Sequence, residues 1–351
     1  EIEWWQRGRR TTPRVKRVTK RLREHYVVTV TLVRDYAFGK PSDQKIHTDF
    51  FIPARHLGEA TDGDKVLVAL EQWDDPRDQP VGRIVQILGQ QGDHEVEMHA
   101  ILAEFGLPYQ FPEEVEVAAR AFVPSDAAKP HGLDPAEVAR RRDFREVLTM
   151  TIDPADAKDF DDALSLRRCE NGNWEVGVHI ADVTHYLTPG SVLDREAVQR
   201  ATSVYLVDRT IPMLPEVLSN DLCSLRPHED RFAFSAVFEM TTKAEVVGRW
   251  FGRTVIHSDR RFAYEEAQER LESGEGDHAE ELRVLGDLAQ ELRRKRFQKG
   301  GIDFNTEEVR FQLDEEGKPL RVVVKQMKEA NKLIEDFMFC LLYTSDAADE
   351  T

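Results

Sequence analysis

Between residues 26 and 90, short apolar runs alternate with turns at a spacing that suits strands. Tyr26–Val33 is β-branched at Val27, Val28, Val30 and Val33, Tyr36–Phe38 is aromatic, and Phe50–Ile52 runs into Pro53. Lys65–Trp73 and Val81–Leu88 are again rich in apolar residues, and Pro41-Ser42-Asp43 and Asp62-Gly63-Asp64 supply turns. Five such strands predict a small closed β-barrel over residues 26–92. The pattern then changes. Residues 93–148 read as a connector with helices around Glu113–Phe122 and Asp134–Leu148. In the second helix, Asp134, Pro135 and Glu137 fall at the N-cap, N1 and N3 positions, a strong start signal. From Thr149, strands at Trp174–Ile180, Phe232–Met240, Val246–Ile256 and Leu320–Val324 mix with helices, as in an α+β domain over residues 149–338. The clearest helix, Ala279–Lys299, sets Leu282, Leu285, Ala289 and Leu292 on one face and stops at Gly300-Gly301. Another is expected to begin near Lys328. No internal repeat is evident.

The length, 351 residues, fits a multidomain chain, and 40% hydrophobic with 32% charged residues fits core-forming domains. No apolar run approaches the ~18 residues that cross a bilayer. The opening Glu1-Ile-Glu-Trp-Trp5 lacks the basic-then-apolar order of a secretory signal. Cys169, Cys223 and Cys340 are odd in number and far apart, so no disulfide framework is expected, and a reducing, cytoplasmic setting fits. Net charge is −17, which argues against a nucleic-acid partner until its distribution is considered. Residues 1–25, a basic arm with a turn at Thr11-Thr12-Pro13, hold nine Arg/Lys against three Glu. The acidic excess gathers elsewhere, at Asp153–Asp162 and in Glu265–Glu281, the latter read as a solvated helix face.

The most informative segment is Thr151-Ile-Asp153-Pro-Ala-Asp156-Ala-Lys-Asp159-Phe-Asp161-Asp162-Ala163, with five carboxylates that repel one another unless a cation or solvent screens them. Most Asp-rich stretches are solvated loops. This one lies between apolar stretches, Val147–Ile152 on one side and Ala163–Leu166 on the other, a poor place for solvent filler. Carboxylate-only ligands select hard cations over zinc. A calcium loop of the EF-hand type fails, because counting from Asp159 puts Ala163 and Leu164 where a ligand and a glycine belong. Magnesium, or manganese in its place, fits better and points to phosphodiester chemistry. His179 and His185 would share one face of a strand but lie ~20 Å apart, so both are read as structural.

The same segment resembles the signature of the ribonuclease II/ribonuclease R catalytic domain, the RNB domain. Val178-His-Ile-Ala-Asp-Val-Thr-His-Tyr186, Ser203-Val-Tyr205, Ile211–Asn220, Leu222-Cys-Ser-Leu-Arg-Pro227, Gly300-Gly-Ile-Asp-Phe304 and Asn331–Met338 follow in that family's order. The resemblance runs from about Lys16 to Met338 and leans towards bacterial ribonuclease R. It implies a monomeric, processive 3′→5′ exoribonuclease that releases nucleoside 5′-monophosphates from single-stranded RNA. It places Asp153, Asp159, Asp161 and Asp162 around magnesium, with Asp161 most directly tied to the chemistry. It makes Tyr205 and Phe304 an aromatic clamp on the last bases of the RNA 3′ end, and Tyr264 a holder of the terminal nucleotide. Glu335 matches a glutamate near the scissile end, although Asp336 beside it leaves the register open. Asp156 takes no role beyond stabilising a turn.

The barrel likewise resembles the family's cold-shock domains, of the oligonucleotide-binding (OB) fold. Tyr36, Phe38 and Phe51 occupy the places of base-stacking aromatics, unless they fill the barrel core instead. The rival expectation is a non-catalytic RNA-binding protein on an inactive nuclease fold. Family members continue past Met338 with an arginine-bearing motif and a further OB domain, and commonly carry another cold-shock domain upstream. The chain is therefore expected to be cut at both ends and, alone, to have little nuclease activity. Residues 339–351 read as a non-native read-through tail.

Overall fold

The computed structural model describes all residues except 8–9, 17–18, 22, 76–77, 124–132, 303–307, 315–316 and 350–351. The chain forms two compact units, Glu1–Gln110 and Phe111–Thr351.

The first unit opens with a hairpin, not an arm: β1 (Ile2–Arg7) pairs antiparallel with β2 (Arg10–Val15). The turn chemistry foreseen at Thr11–Pro13 falls inside β2, and the chain reverses earlier. The barrel follows as β3 (His25–Val33), β4 (Tyr36–Pro41), β5 (Phe50–Ile52), β6 (Asp64–Gln72) and β7 (Val81–Gln90), closed in the order β3-β4-β5-β7-β6. This is the predicted five-strand closed barrel. Strand alternation decides what fills it: Val28, Val30, Ala37, Phe50, Ile52, Val66 and Val68 form the interior. A helix absent from the sequence-based expectation, α1 (His94–Glu104), closes the unit, with Asp93 accepting from the amides of Glu95 and Val96. Its buried residues, Val96, Met98, Ala100 and Leu102, alternate in the manner of a strand, and this hides the helical period.

The second unit begins with α2 (Glu113–Arg120) and α3 (Pro135–Val138). Asp134 caps α3 as expected, its carboxylate accepting from Ala136 N at 3.0 Å, but the helix lasts one turn and does not reach Leu148. Arg141 explains the stop. Its fully buried guanidinium pairs with Asp182 at 2.7 Å and Glu137 at 2.9 Å, and donates to the carbonyls of Ala233 and Thr254. That anchorage draws the chain into β8 (Arg142–Asp143), parallel to a distant strand.

The mixed sheet adds β9 (Thr149–Asp153), β10 (Asp162–Arg168) and β11 (Trp174–Ala181). After α4 (Val192–Arg200), the short ribbon β12 (Val204–Tyr205) and β13 (Thr210–Ile211), and a π-helical stretch Val217–Leu222, come β14 (Asp230–Met240), β15 (Val246–His257) and β16 (Arg260–Ala263). The sheet order is β16-β9-β10-β11-β14-β15-β8. One face packs on α5 (Tyr264–Ser273) and α6 (Ala279–Gln298), and on a C-terminal helix. Between α6 and that helix lies the hairpin β17 (Glu308–Leu313) and β18 (Pro319–Lys325); the helix itself is α7 (Glu329–Asp349). Leu282, Leu285 and Ala289 of α6 are buried there as predicted, and Leu292 packs at the margin. The other face meets α2, α4 and the π-helical stretch.

Inside the sheet, buried His179 spans Ser165 (Nε2, 2.8 Å) and Ser235 (Nδ1, 2.6 Å). Burial, with help from the Arg142 charge, pushes its pKa down to about 3. The cross-strand network demands glycine at position 177, where a Cβ would stand 2.3 Å from Ser165 Oγ and 2.5 Å from His179 Nε2. His185 lies beyond the strand and meets Phe232 edge-on, with ring centroids 4.7 Å apart, so both histidines are structural. Among the described residues no helix is long and apolar enough to cross a membrane.

Candidate active site

The acidic motif connects β9 to β10, and the sheet order brings its two ends together. Asp153 closes β9 and is buried; Asp162 opens β10 and is half-buried. Desolvation, then the Asp162 charge, pushes the Asp153 carboxyl up to about 7, with the Asp161 charge adding to the shift and the nearby Thr151 and Arg261 partly offsetting it. Asp162 is pushed up to about 6 by burial and by Asp161. Asp161 touches solvent, yet it sits in a recess crowded enough that desolvation, followed by the Asp159 charge, raises it too.

Two tyrosines join this cluster. Tyr205, exposed on β12, donates a long 3.4 Å hydrogen bond to Asp159 Oδ2, and burial of its hydroxyl with the charges of Asp159 and Asp161 raises its pKa. Tyr264 begins α5 and is pushed up to about 12 by burial and by Asp162 and Asp153. The parallel pairing of β16 with β9, which sets Ala263 beside Asp153, carries Tyr264 to the acidic end of the sheet. A cleft of about 290 Å³ opens beside Asp159, Asp161 and Tyr205, with Ile180, Met213 and Leu214 among its apolar walls. Cys223 also lines it, but burial pushes that thiol up to about 12, so it serves as a neutral wall.

The remaining predicted positions fall elsewhere. Glu335 is exposed on α7, and its charge is felt by Asp336, with no contact to the four aspartates among the described residues. Asp336 is buried and tied to α6 through Arg293 at 2.8 Å and Arg296 at 3.1 Å, which leaves Glu335 as the solvent-facing member of the pair. Phe304 lies outside the described residues. On the barrel, Tyr36, Phe38 and Phe51 are half-exposed and mutually packed, with ring centroids 5.5–6.3 Å apart. Ala37, Phe50 and Ile52 point inward, so the three aromatics form an outer patch and not the core.

Sequence reasoning passed over Arg261. Its Nη2 donates to the carbonyls of Pro154 (2.5 Å) and Ala155 (3.0 Å), and its guanidinium lies over Phe160 at 5.5 Å, so it braces the acidic loop from β16. Nothing local signals this, because the contact spans over a hundred residues.

Could the aspartates hold a metal? Among the described residues, no three His, Cys, Asp or Glu side chains stand close enough to hold an ion unaided. Asp153 Oδ2, however, is buried without a hydrogen-bond partner among the described residues, and the carboxyls of Asp153, Asp161 and Asp162 are all forced above their ordinary range. That is the electrostatic signature of a site short of positive charge. An all-oxygen donor set fits magnesium, which keeps several waters and needs only one or two carboxylates. The residues therefore fit a largely hydrated ion, not a closed protein cage.

A closed OB barrel, followed by a mixed sheet whose strand ends hold an acidic cleft, defines the class of the molecule. Residues 141–341 match the RNB domain family and residues 38–112 a cold shock domain family. The chain belongs to the RNB-domain exoribonuclease family, which includes bacterial ribonuclease R. It is 37% identical over 333 residues to ribonuclease R of Thermotoga maritima, covering 93% of this chain and 46% of that protein. It is 41% identical over 288 residues to DIS3-like exonuclease 2 of Schizosaccharomyces pombe, covering 77% and 30%. The chain thus spans less than half the length of these relatives. Its fold matches that of Mycoplasma genitalium RNase R in complex with ribose methylated single-stranded RNA, with a TM-score of 0.86, 23% identity, and coverage of 96% of this chain and 54% of that one. It also matches yeast Ssd1, a pseudonuclease, with a TM-score of 0.62, 21% identity, and coverage of 82% and 36%.

Proposed function

We propose that this chain carries the metal-binding half of a 3′→5′ exoribonuclease that hydrolyses single-stranded RNA to nucleoside 5′-monophosphates with magnesium. The observation that carries the reading is the convergence of Asp153, Asp161 and Asp162, all forced upward in pKa, with Tyr205 and Tyr264 at one end of the sheet. Asp153, Asp159, Asp161 and Asp162 would hold the ion, which when bound supplies an activated water and stabilises the leaving oxygen. Tyr205, exposed and aromatic, stacks a base without reading its identity, as a processive enzyme requires. Tyr264 keeps its proton at neutral pH and donates to the terminal nucleotide. Glu335 faces solvent, and the family resemblance assigns it to the scissile end. The barrel patch of Tyr36, Phe38 and Phe51 supplies further stacking contacts to the RNA, and Phe304 completes the clamp with Tyr205. The protein acts in the cytoplasm as a monomer.

A second reading, an RNA-binding protein on an inactive fold, is favoured by the lack of a ready-made three-ligand set among the described residues and by the likeness to a pseudonuclease. The two diverge in measurement. Electron paramagnetic resonance of added manganese should show binding to the chain that Asp162→Asn weakens. Incubation of poly(A) with magnesium and the longer gene product should release 5′-monophosphates. RNA binding without either signal would select the inactive reading.

A further inference from the structure

In an antiparallel ladder, directly paired residues project from the same face. One such row crosses four strands of the second unit's sheet, beginning at the acidic motif. Asp162 on β10 pairs with Ile180 on β11, Ile180 with Phe234 on β14, and Phe234 with Arg253 on β15. Leu164, two residues after Asp162, packs beneath α5–α7, so the row belongs to that face. From Arg231 to Phe238, β14 is buried throughout except at Phe234, which is 47% exposed. Its same-face neighbours are covered: Phe232 lies under His185 and Arg141, and Ala236 lies in the core beneath the helices. Phe234 itself has no ring partner among the described residues. Arg253 beside it is half-exposed, and among the described residues its ion pairs are long ones, to Asp182 (3.7 Å) and Glu137 (4.0 Å).

We infer that this row is a nucleotide subsite, in which Phe234 stacks a base of the RNA strand next to the nucleotide at the carboxylates and Arg253 faces a phosphate. The inference rests on the RNA-hydrolase reading above. Two strand spacings, ~10 Å, separate Asp162 from Phe234. An apolar protein segment covering this face would meet a carboxylate at one end of the row and a guanidinium at the other. A base flanked by phosphates meets an aromatic ring and a loosely held cation, which suit it better.

The test measures affinity of the 351-residue chain for fluorescein-labelled oligo(A), with EDTA to prevent cleavage. Wild type is compared with F234A, F234L, F234W, R253Q and Y205A, each checked for folding by circular dichroism. F234A and F234L should each weaken binding roughly tenfold while F234W holds wild-type affinity, since a π-face and not apolar bulk is required. R253Q should weaken binding and reduce its salt dependence by about one phosphate contact. Wild-type affinity in F234L, or in F234A, overturns the inference; with Leu tolerated, the face takes an apolar protein segment instead. If Y205A loses affinity while the Phe234 variants do not, the subsite alone is wrong. No measurable RNA affinity in the wild type overturns the subsite and the wider reading together.

Discussion

Tyr36, Phe38 and Phe51 on the first unit and Asp153, Asp159, Asp161 and Asp162 on the second are both tight clusters, but their members act on one another in opposite ways. The rings lie 5.5–6.3 Å apart in tilted or edge-on contacts that are mutually favourable, and the barrel core beneath them is filled without their help. Burial raises the energy of the Asp153, Asp161 and Asp162 carboxylates, and the neighbouring charges add to it. A patch of the first kind is redundant, since losing one ring leaves two surfaces on which a base can stack. On the proposed reading a cluster of the second kind takes a cation, so each member should matter. Binding and chemistry should therefore separate cleanly between the two regions under mutation.

The largest expected effect lies at the acidic end. Asp161→Asn should lower RNA hydrolysis by the longer gene product by a factor on the order of a thousand or more, corresponding to several kcal/mol of lost transition-state stabilisation. Affinity for single-stranded RNA should be nearly unchanged, because stacking and phosphate contacts supply it. Gel-shift and single-turnover cleavage on one labelled RNA measure both. Near-normal cleavage would remove Asp161 from the chemistry, and a parallel collapse of binding would break the separation drawn above.

The barrel offers the converse test, in stability. Phe50 is fully buried, whereas Phe38, paired across the strands with Phe51, faces outward. Phe50→Ala should cost the barrel about 3–5 kcal/mol, as for other buried aromatics, while Phe38→Ala costs far less. Urea unfolding followed by circular dichroism compares the two. Equal losses would show that the outer aromatics belong to the core after all.

How far could this division be read from the amino-acid order? The barrel was legible because β3 pairs with β4, β4 with β5 and β6 with β7, each partner close in sequence, and β-branched runs and turn residues mark every one. Alternation alone could not say whether Phe50 or Phe51 faced inward; only the closed register decides it. In the second unit the acidic motif was legible as a continuous string, whereas its supports were not. Arg261 reaches the acidic loop through the parallel pairing of β16 with β9, about a hundred residues apart, and the same pairing carries Tyr264, which only the family resemblance had named, to the aspartates. The helix expected over Asp134–Leu148 failed for the same reason, since its local signals were correct at Asp134 and were overridden by distant partners of Arg141. Local sequence marks elements and motifs; long-range pairing decides which side chains meet.

Acid separates the two units in a further way. His179 is buried neutral in the second unit, whereas among the described residues of the first unit no histidine is buried. Its pKa falls from an ordinary value near 6.5 when unfolded to about 3 when folded. Below pH 6.5 the unfolded chain therefore takes up a proton that the folded chain refuses, and stability conferred by neutral His179 declines as pH falls towards 3. Asp153 and Asp162, raised to about 7 and about 6, shift stability the other way over part of this range, so the histidine must be isolated by difference. Relative to His179→Gln, the wild type should lose about 2 kcal/mol between pH 6.5 and pH 5 in denaturant melts of the second unit's transition. A difference that does not change with pH would mean that His179 can be protonated in place.

Tyr205 gives a comparably small predicted effect and the sharpest probe of the boundary between the regions. It is an aromatic residue like those on the barrel, exposed and free to stack, yet it leans on Asp159 among the carboxylates. If it contributes by stacking, Tyr205→Ala removes ~1–3 kcal/mol of binding and leaves the four aspartates in place. The loss should depend on substrate length. A five-nucleotide RNA relies on the few contacts near its 3′ end, so its affinity should fall roughly ten- to hundredfold. A thirty-nucleotide RNA keeps many other phosphate and stacking contacts, and its affinity should fall less. Fluorescence anisotropy with both oligomers, in EDTA, makes the comparison directly. Equal losses at both lengths would show that Tyr205 does not clamp the 3′ end. A loss of hydrolysis with no loss of affinity at either length would move Tyr205 out of the stacking class and into the chemistry of the aspartates beside it.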